Sequence, residues 1–208
     1  QLIRLHLERA GRKHSFSYHK VNNNQEGVRL LARFSEMKDK DLNVMVFNFM
    51  DMLSHARTES KMLREIVSDE AAYRSLTRAW FLRSPIDQLL KEIAAHGYKA
   101  VITTDHGAIR VKNGVKVIGD KETKSNLRYK LGKNLAYDPK KVHVVLHPEN
   151  AGLPAPNVST RYVFARSHDF LVYPNHFNRY VSHFEDSFQH GGISMEEMMI
   201  PFVVLTPK

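Results

Sequence analysis

Two apolar runs constrain the fold of this chain more than any other feature. Asp41 to Met50 carries Leu42, Val44, Val46, Phe47, Phe49 and Met50, and Tyr98 to Thr104 forms the second run. Each ends on a polar cluster. Nearly continuous apolar sequence over so short a length fits a strand buried on both faces, as in a parallel sheet covered by helices. Helix-like stretches surround both runs: Leu2 to Ala10 closed by Gly11, Glu26 to Phe34, Glu59 to Val67, and Glu70 to Phe81. Ser84-Pro85 opens another helix to Ala95, with Pro85 in its first turn and Gly97 closing it. Phe16 to Val21, Val142 to Leu146, Thr160 to Ala165, Phe170 to Tyr173 and Phe202 to Leu205 read as further strands. Asn113-Gly114 is a hairpin signal between 108–111 and 116–118. Ser194 with Glu197 reads as a capping box before a short helix to Ile200. Helices alternate with strands, so the class is α/β, and residues 1–208 are expected to form a single domain.

Composition narrows the chemistry. Cysteine is absent, which removes disulfides, thiolate nucleophiles and cysteine-based zinc fingers. Any metal must then be held by imidazole and carboxylate, a donor set that suits zinc, manganese or iron. No apolar run reaches the length needed to span a bilayer, and no signal peptide is visible, so the expectation is a cytoplasmic protein without membrane insertion. The chain opens on Gln1 within helix-like sequence, which reads as a removed N-terminus. Lys plus Arg outnumber Asp plus Glu by 31 to 22, a net charge of +9 that favours anionic partners such as phosphate esters or nucleic acid.

The polar clusters carry the candidate chemistry. The first apolar run ends on Asp51, and His55 follows four residues later. If a helical turn starts there, both fall on one face and can share a metal. The second run ends on Asp105-His106-Gly107, at the strand edge where open α/β sheets bind ligands. Near the C-terminus, Gln189-His190-Gly191-Gly192 places an imidazole in a glycine loop. Together these supply three imidazoles and two carboxylates, suited to divalent metal at neutral pH.

In that order, Asp-x-x-x-His, Asp-His-Gly and a late His-Gly-Gly resemble the ligand pattern of the alkaline phosphatase superfamily. The segments Phe47 to Glu59 and His190 to Glu197 through Pro201 resemble its PglZ branch more narrowly, and within it the effector domains of response regulators of type IX secretion. The resemblance implies a mainly parallel central sheet flanked by helices and two divalent ions, zinc first and manganese second. It implies that Asp51, His55 and His190 hold one ion and that Asp105 and His106 hold the other. It also implies a phosphodiesterase or phosphatase acting on a phosphate ester or oligonucleotide, signalling partner proteins, and phosphorylation-controlled homodimerisation. The superfamily completes the second site with an earlier Asp and a Thr or Ser nucleophile. Ser15, Ser17 and Ser35 lack that setting, so the nucleophile-bearing portion is expected to be missing and this chain to be inactive alone.

Arg57, two residues after His55, is the candidate contact for phosphoryl oxygens. Thr103 and Thr104 are candidate donors to the metal carboxylate. His143, His147, His168, His176 and His183 read as non-ligands. Arg128, Tyr129, Lys130 and Lys133 fall in a polar, basic stretch from Asp120 to Lys141, and read as a solvated loop or as a grip on a nucleotide backbone. Three alternatives compete with the phosphoesterase: a catalytically silent, metal-stabilised interaction module, a phosphomutase, and a metal-free nucleic-acid-binding domain.

Overall fold

A computed structural model describes residues 2–119 and 126–207. The part of the basic stretch at 120–125 therefore lies outside the described residues. The chain divides into two compact units, one built from Gln1–Leu53, Met62–Ala100 and Val204–Lys208, the other from Ser54–Lys61 and Val101–Val203. No described helix is long and apolar enough to cross a membrane.

The first unit begins with α1 (Leu2–Arg9), which gives way to Gly11 at a φ of 65°, a left-handed value that favours glycine. Strand β1 (Phe16–Val21) leads to α2 (Asn24–Ala32), whose N-cap Asn23 accepts the Glu26 N–H at 2.9 Å. A short 3-10 turn (Phe34–Met37) precedes β2 (Leu42–Phe47), which pairs parallel to β1 with Leu42 opposite Phe16. Helix α3 (Phe49–Glu59) follows after one residue, then α4 (Lys61–Ile66), α5 (Glu70–Arg83) capped by Asp69, and α6 (Pro85–Ala95) capped by Ser84. Val21, Leu30, Phe34, Met37 and Leu89 form this unit's core. A Cβ on Gly27 would meet Pro85 Cγ at 3.0 Å, so the glycine lets α2 and α6 approach closely.

Strand β3 (Ala100–Thr103) and the last strand, β12 (Phe202–Leu205), pair with each other and contribute residues to both units. Between them come β4 (Ile109–Arg110), β5 (Asn113–Ile118), β6 (Tyr129–Gly132), β7 (Ala136–Tyr137), β8 (Val142–Val145), β9 (Arg161–Ala165) and β10 (Asp169–Val172). Helix α7 (Phe177–Phe184), β11 (Phe188–Gln189) and α8 (Met195–Met198) complete the order. The second unit has two apolar clusters, Val115, Val117, Val142, Val163, Ala165 and Leu171, and Ile109, Val111, Phe170 and Val172.

The mixed α/β class is borne out, but the mainly parallel central sheet is not what the hydrogen bonding forms. The described strands make five small sheets of two or three strands each. β1 with β2 and β5 with β10 are parallel, whereas β4 with β11, β5 with β7, and β9 with β6 and β8 are antiparallel. Parallel neighbours need a long crossover: β1 and β2 have one through α2, and β5 and β10 have one through the strands between them.

Two local expectations also need correction. The run ending at Met50 leaves the strand at Phe47, and its last five strand residues are only half-buried. Asn113 and Gly114 make no hairpin turn: both lie in β5, which pairs with β10 and β7, while β4 pairs with β11. A Cβ on Gly114 would meet Val181 Cγ2 at 2.4 Å, so this glycine makes room for α7.

Candidate metal centre

The start of α3 is held within the first unit by aromatic packing. Phe49 stacks on Trp80 with ring centroids 4.2 Å apart, and the Tyr73 hydroxyl donates to the Met50 carbonyl at 3.1 Å. Asp51 therefore sits in the first turn of a helix rather than at a strand end, and it is exposed. Negative charge in that turn is favoured by the dipole of the helix. His55, also exposed, lies one turn further along, so its helix presents it on the same face as Asp51.

The second unit brings three imidazoles together. His106 and His190 stack with centroids 3.9 Å apart and planes within 8° of parallel, and His55 meets His190 edge-on at 6.4 Å. Asp105 is 92% exposed, and its Oδ1 lies 3.8 Å from His106 Nε2. Nδ1 of His106 lies 2.9 Å from the Gly107 carbonyl. A carbonyl only accepts, so Nδ1 carries the hydrogen, and the Nε2 lone pair is left as an acceptor. Two donors bound to one tetrahedral ion sit roughly 3.4 Å apart at ordinary bond lengths of about 2.1 Å. The Asp105–His106 separation is near that, and the donor chemistry fits a borderline divalent ion.

The backbone beside these imidazoles is tightly seated. A Cβ on Gly107 would lie 2.0 Å from the Glu196 carbonyl oxygen, and the Gly107 N–H donates to the Glu197 carbonyl at 2.9 Å. Gly191 adopts a φ of 99°, and a Cβ on Gly192 would lie 2.5 Å from Glu197 Oε2. The Glu197 carboxylate accepts the Gly192 N–H at 2.8 Å and the Ser194 N–H at 3.1 Å. It also receives Nε and Nη2 of Arg128, each at 2.9 Å. Burial pushes the Glu197 carboxyl up, but the Arg128 hydrogen bonds and charge, with the two amide donors, outweigh it and hold the group below the ordinary range.

Arg128 and Lys130 correct the sequence reading. Neither is solvated nor open to a nucleotide: their exposures are 0% and 1%. Arg128 pairs with Glu197 and donates to the Asp169 carbonyl, and Lys130 Nζ lies 4.5 Å from the centre of the Tyr173 ring. The capping role of Glu197 is legible at position 194 plus three, but nothing local links it to Arg128, 69 residues away.

Arg57 is buried, donates from Nη1 to the Asp186 carbonyl at 2.5 Å, and lies 5.2 Å from the centre of the Phe188 ring. It thus braces the turn that leads into Gln189-His190, where Asp186 has a φ of 61°. Thr103 donates its hydroxyl to the Pro201 carbonyl at 2.8 Å, rather than to Asp105. His168 Nδ1 lies 2.8 Å from the Arg110 carbonyl, and His147 Nδ1 lies 3.3 Å from Glu149.

Residues 2–205 match the family described as the BREX system PglZ alkaline phosphatase-like domain. No curated protein matches the chain. Among solved structures, it is similar to phosphonoacetate hydrolase from Sinorhizobium meliloti 1021, crystallised with phosphonoformate, at 15% identity and a TM-score of 0.49. That similarity covers 86% of this chain and 48% of the hydrolase, so the chain spans about half the hydrolase's length. The family match runs across both compact units and contains all three histidine motifs: the chain belongs to the PglZ family of alkaline phosphatase-like domains.

Proposed function

We propose that this chain is the metal-binding part of a single PglZ domain that hydrolyses phosphate esters with two divalent ions, zinc or, second, manganese. The observation that carries the proposal is the meeting of His55, His106 and His190, drawn from three separate motifs. Asp51, His55 and His190 would hold one ion, supported by the one-turn spacing of the first two on α3. Asp105 and His106 would hold the other. Bound there, two ions supply charge to the attacking and leaving oxygens of an in-line displacement at phosphorus.

The chain's own residues prepare that site. The Gly107 carbonyl fixes the His106 tautomer, and the glycines beside His106 and His190 admit close backbone contact. Arg57 is the proposed cation for phosphoryl oxygens, and its Nη1 holds the Asp186 carbonyl. A net charge of +9 raises the local concentration of an anionic ester, a nucleotide or an oligonucleotide. We further infer, from the family resemblance of the segments around the motifs alone, that the setting is a cytoplasmic response regulator of type IX secretion; that resemblance implies signalling partner proteins and a phosphorylation-controlled homodimer.

The nucleophilic hydroxyl is assigned to no residue of this chain. Ser15 and Ser17 direct theirs to Asp41 and Asn43, at 2.8 and 2.6 Å. That observation favours a second reading, an interaction module that keeps metal for structure and has no turnover. Hydrolysis of bis-p-nitrophenyl phosphate and of short oligonucleotides separates the two. The 208-residue chain should show none, whereas a chain carrying whatever natural sequence precedes Gln1 should show chelator-sensitive turnover. A longer chain that binds metal and turns over neither substrate favours the interaction module.

A further inference from the structure

Both histidine motifs of the second unit are tied to one residue that is not itself a ligand. The main chain of Glu197 accepts the N–H of Gly107, the residue after His106. Its side chain accepts the N–H of Gly192, two residues after His190, and that of Ser194. Arg128 closes on the same carboxylate through two nitrogens, both at 2.9 Å. Those four donors fill the roughly four acceptor positions a carboxylate offers. Asn126, two residues before Arg128, donates to the His190 carbonyl at 3.4 Å and accepts the Arg128 N–H at 2.7 Å. The arginine and the glutamate are 0% and 1% exposed.

Stability alone is a weak reason for such a pair, because a buried ion pair contributes little net free energy compared with apolar residues of the same size. Its placement has a clearer consequence. One carboxylate and its own backbone fix both the His106-Gly107 and the His190-Gly191-Gly192 segments, and the imidazoles they carry stack at 3.9 Å. The glycine contacts leave no slack, since a Cβ at either Gly107 or Gly192 would overlap Glu196 or Glu197.

We propose that the buried Arg128–Glu197 pair is a positioning device that sets the spacing of the His106 and His190 motifs before any ligand binds. Its purpose rests on the metal reading above, but the mechanical coupling does not. Holding donors within a few tenths of an ångström of their working geometry avoids an ordering cost on binding. Arg128 and Glu197 are thus positioning residues, acting through the glycine backbones.

The test compares Glu197→Gln with Val117→Ala, a core change in β5 that lowers stability without touching the pair. Amide exchange at Gly107 and Gly192 is followed by NMR on the metal-free chain, and zinc affinity by competition titration. Glu197→Gln should speed exchange at both glycines by about tenfold or more, and weaken zinc by about 10- to 100-fold. Val117→Ala, at a similar loss in Tm, should change neither. Unchanged exchange at the two glycines in Glu197→Gln, or the same changes in Val117→Ala, overturns the proposal. If Glu197→Gln does not fold, Arg128→Lys, which keeps the charge but loses the two-pronged contact, is read at the same two amides. Should the wild-type chain bind no zinc, the metal reading falls and the glycine amides alone still decide the coupling.

Discussion

Lys130 sits almost wholly out of water above the Tyr173 ring, and burial pushes its amine from the usual 10.5 down to about 8. Between those two pH values the unfolded chain binds more protons than the folded one, so stability rises as pH climbs through that window. Below about 8 the cost of the buried charge is fully present, on the order of 3 kcal/mol before the ring contact offsets about 1–2 of it. Lys130→Met keeps the packed stem and removes the charge. Urea denaturation should therefore show the variant more stable by about 1–2 kcal/mol at pH 7, with the gain shrinking by pH 10. An equal difference at both pH values would contradict the argument. Lys130 and Arg128 also mark the limit of what residue types disclose. In sequence they are basic residues in a polar stretch, and charge of that kind is ordinarily solvated. Their environment is set by Tyr173 and Glu197, partners brought in from distant elements. Asp51, His55, Asp105, His106 and His190 were legible because each lies in a short motif beside an apolar run or a glycine pair.

At the scale of elements, local signals held where they were several and agreed. β1 runs over Phe16–Val21 as expected, and α6 has its Ser84 cap, its Pro85 first turn and a left-handed Gly97 at a φ of 74°. A single signal was overridden. Asn113-Gly114 favours a tight turn, yet β10 captures both residues as a parallel partner and α7 packs over the glycine. Gly114→Ala would place a methyl 2.4 Å from Val181 Cγ2, and overpacking of this kind costs about 1–3 kcal/mol. Thermal unfolding should show that loss, and Val181→Ala in the same chain should recover part of it. A neutral Gly114→Ala would mean that the close approach of α7 does not constrain this position. The shortening of the first apolar run has a comparable cause. Phe49 leaves the strand to stack on Trp80, which starts α3 early and carries Asp51 into its first turn.

Over the whole molecule, the family was legible because the motif order survives without knowledge of the sheets, whereas the sheet topology was not. Apolar runs predict buried strands but say nothing of which strands pair; β5 and β10 pair parallel across a connection with no α-helix among its described residues. The three motifs are proposed to bind divalent metal, and the metal content of the purified chain decides whether they do. After removal of loosely held ions, the wild type should retain divalent metal, zinc foremost. His190→Ala should lose most of it and Asp105→Ala part of it, while His147→Ala, whose imidazole lies beside Glu149, should match the wild type. A wild-type chain that holds no divalent ion, or a His190→Ala chain that holds as much as His147→Ala, would contradict the claim.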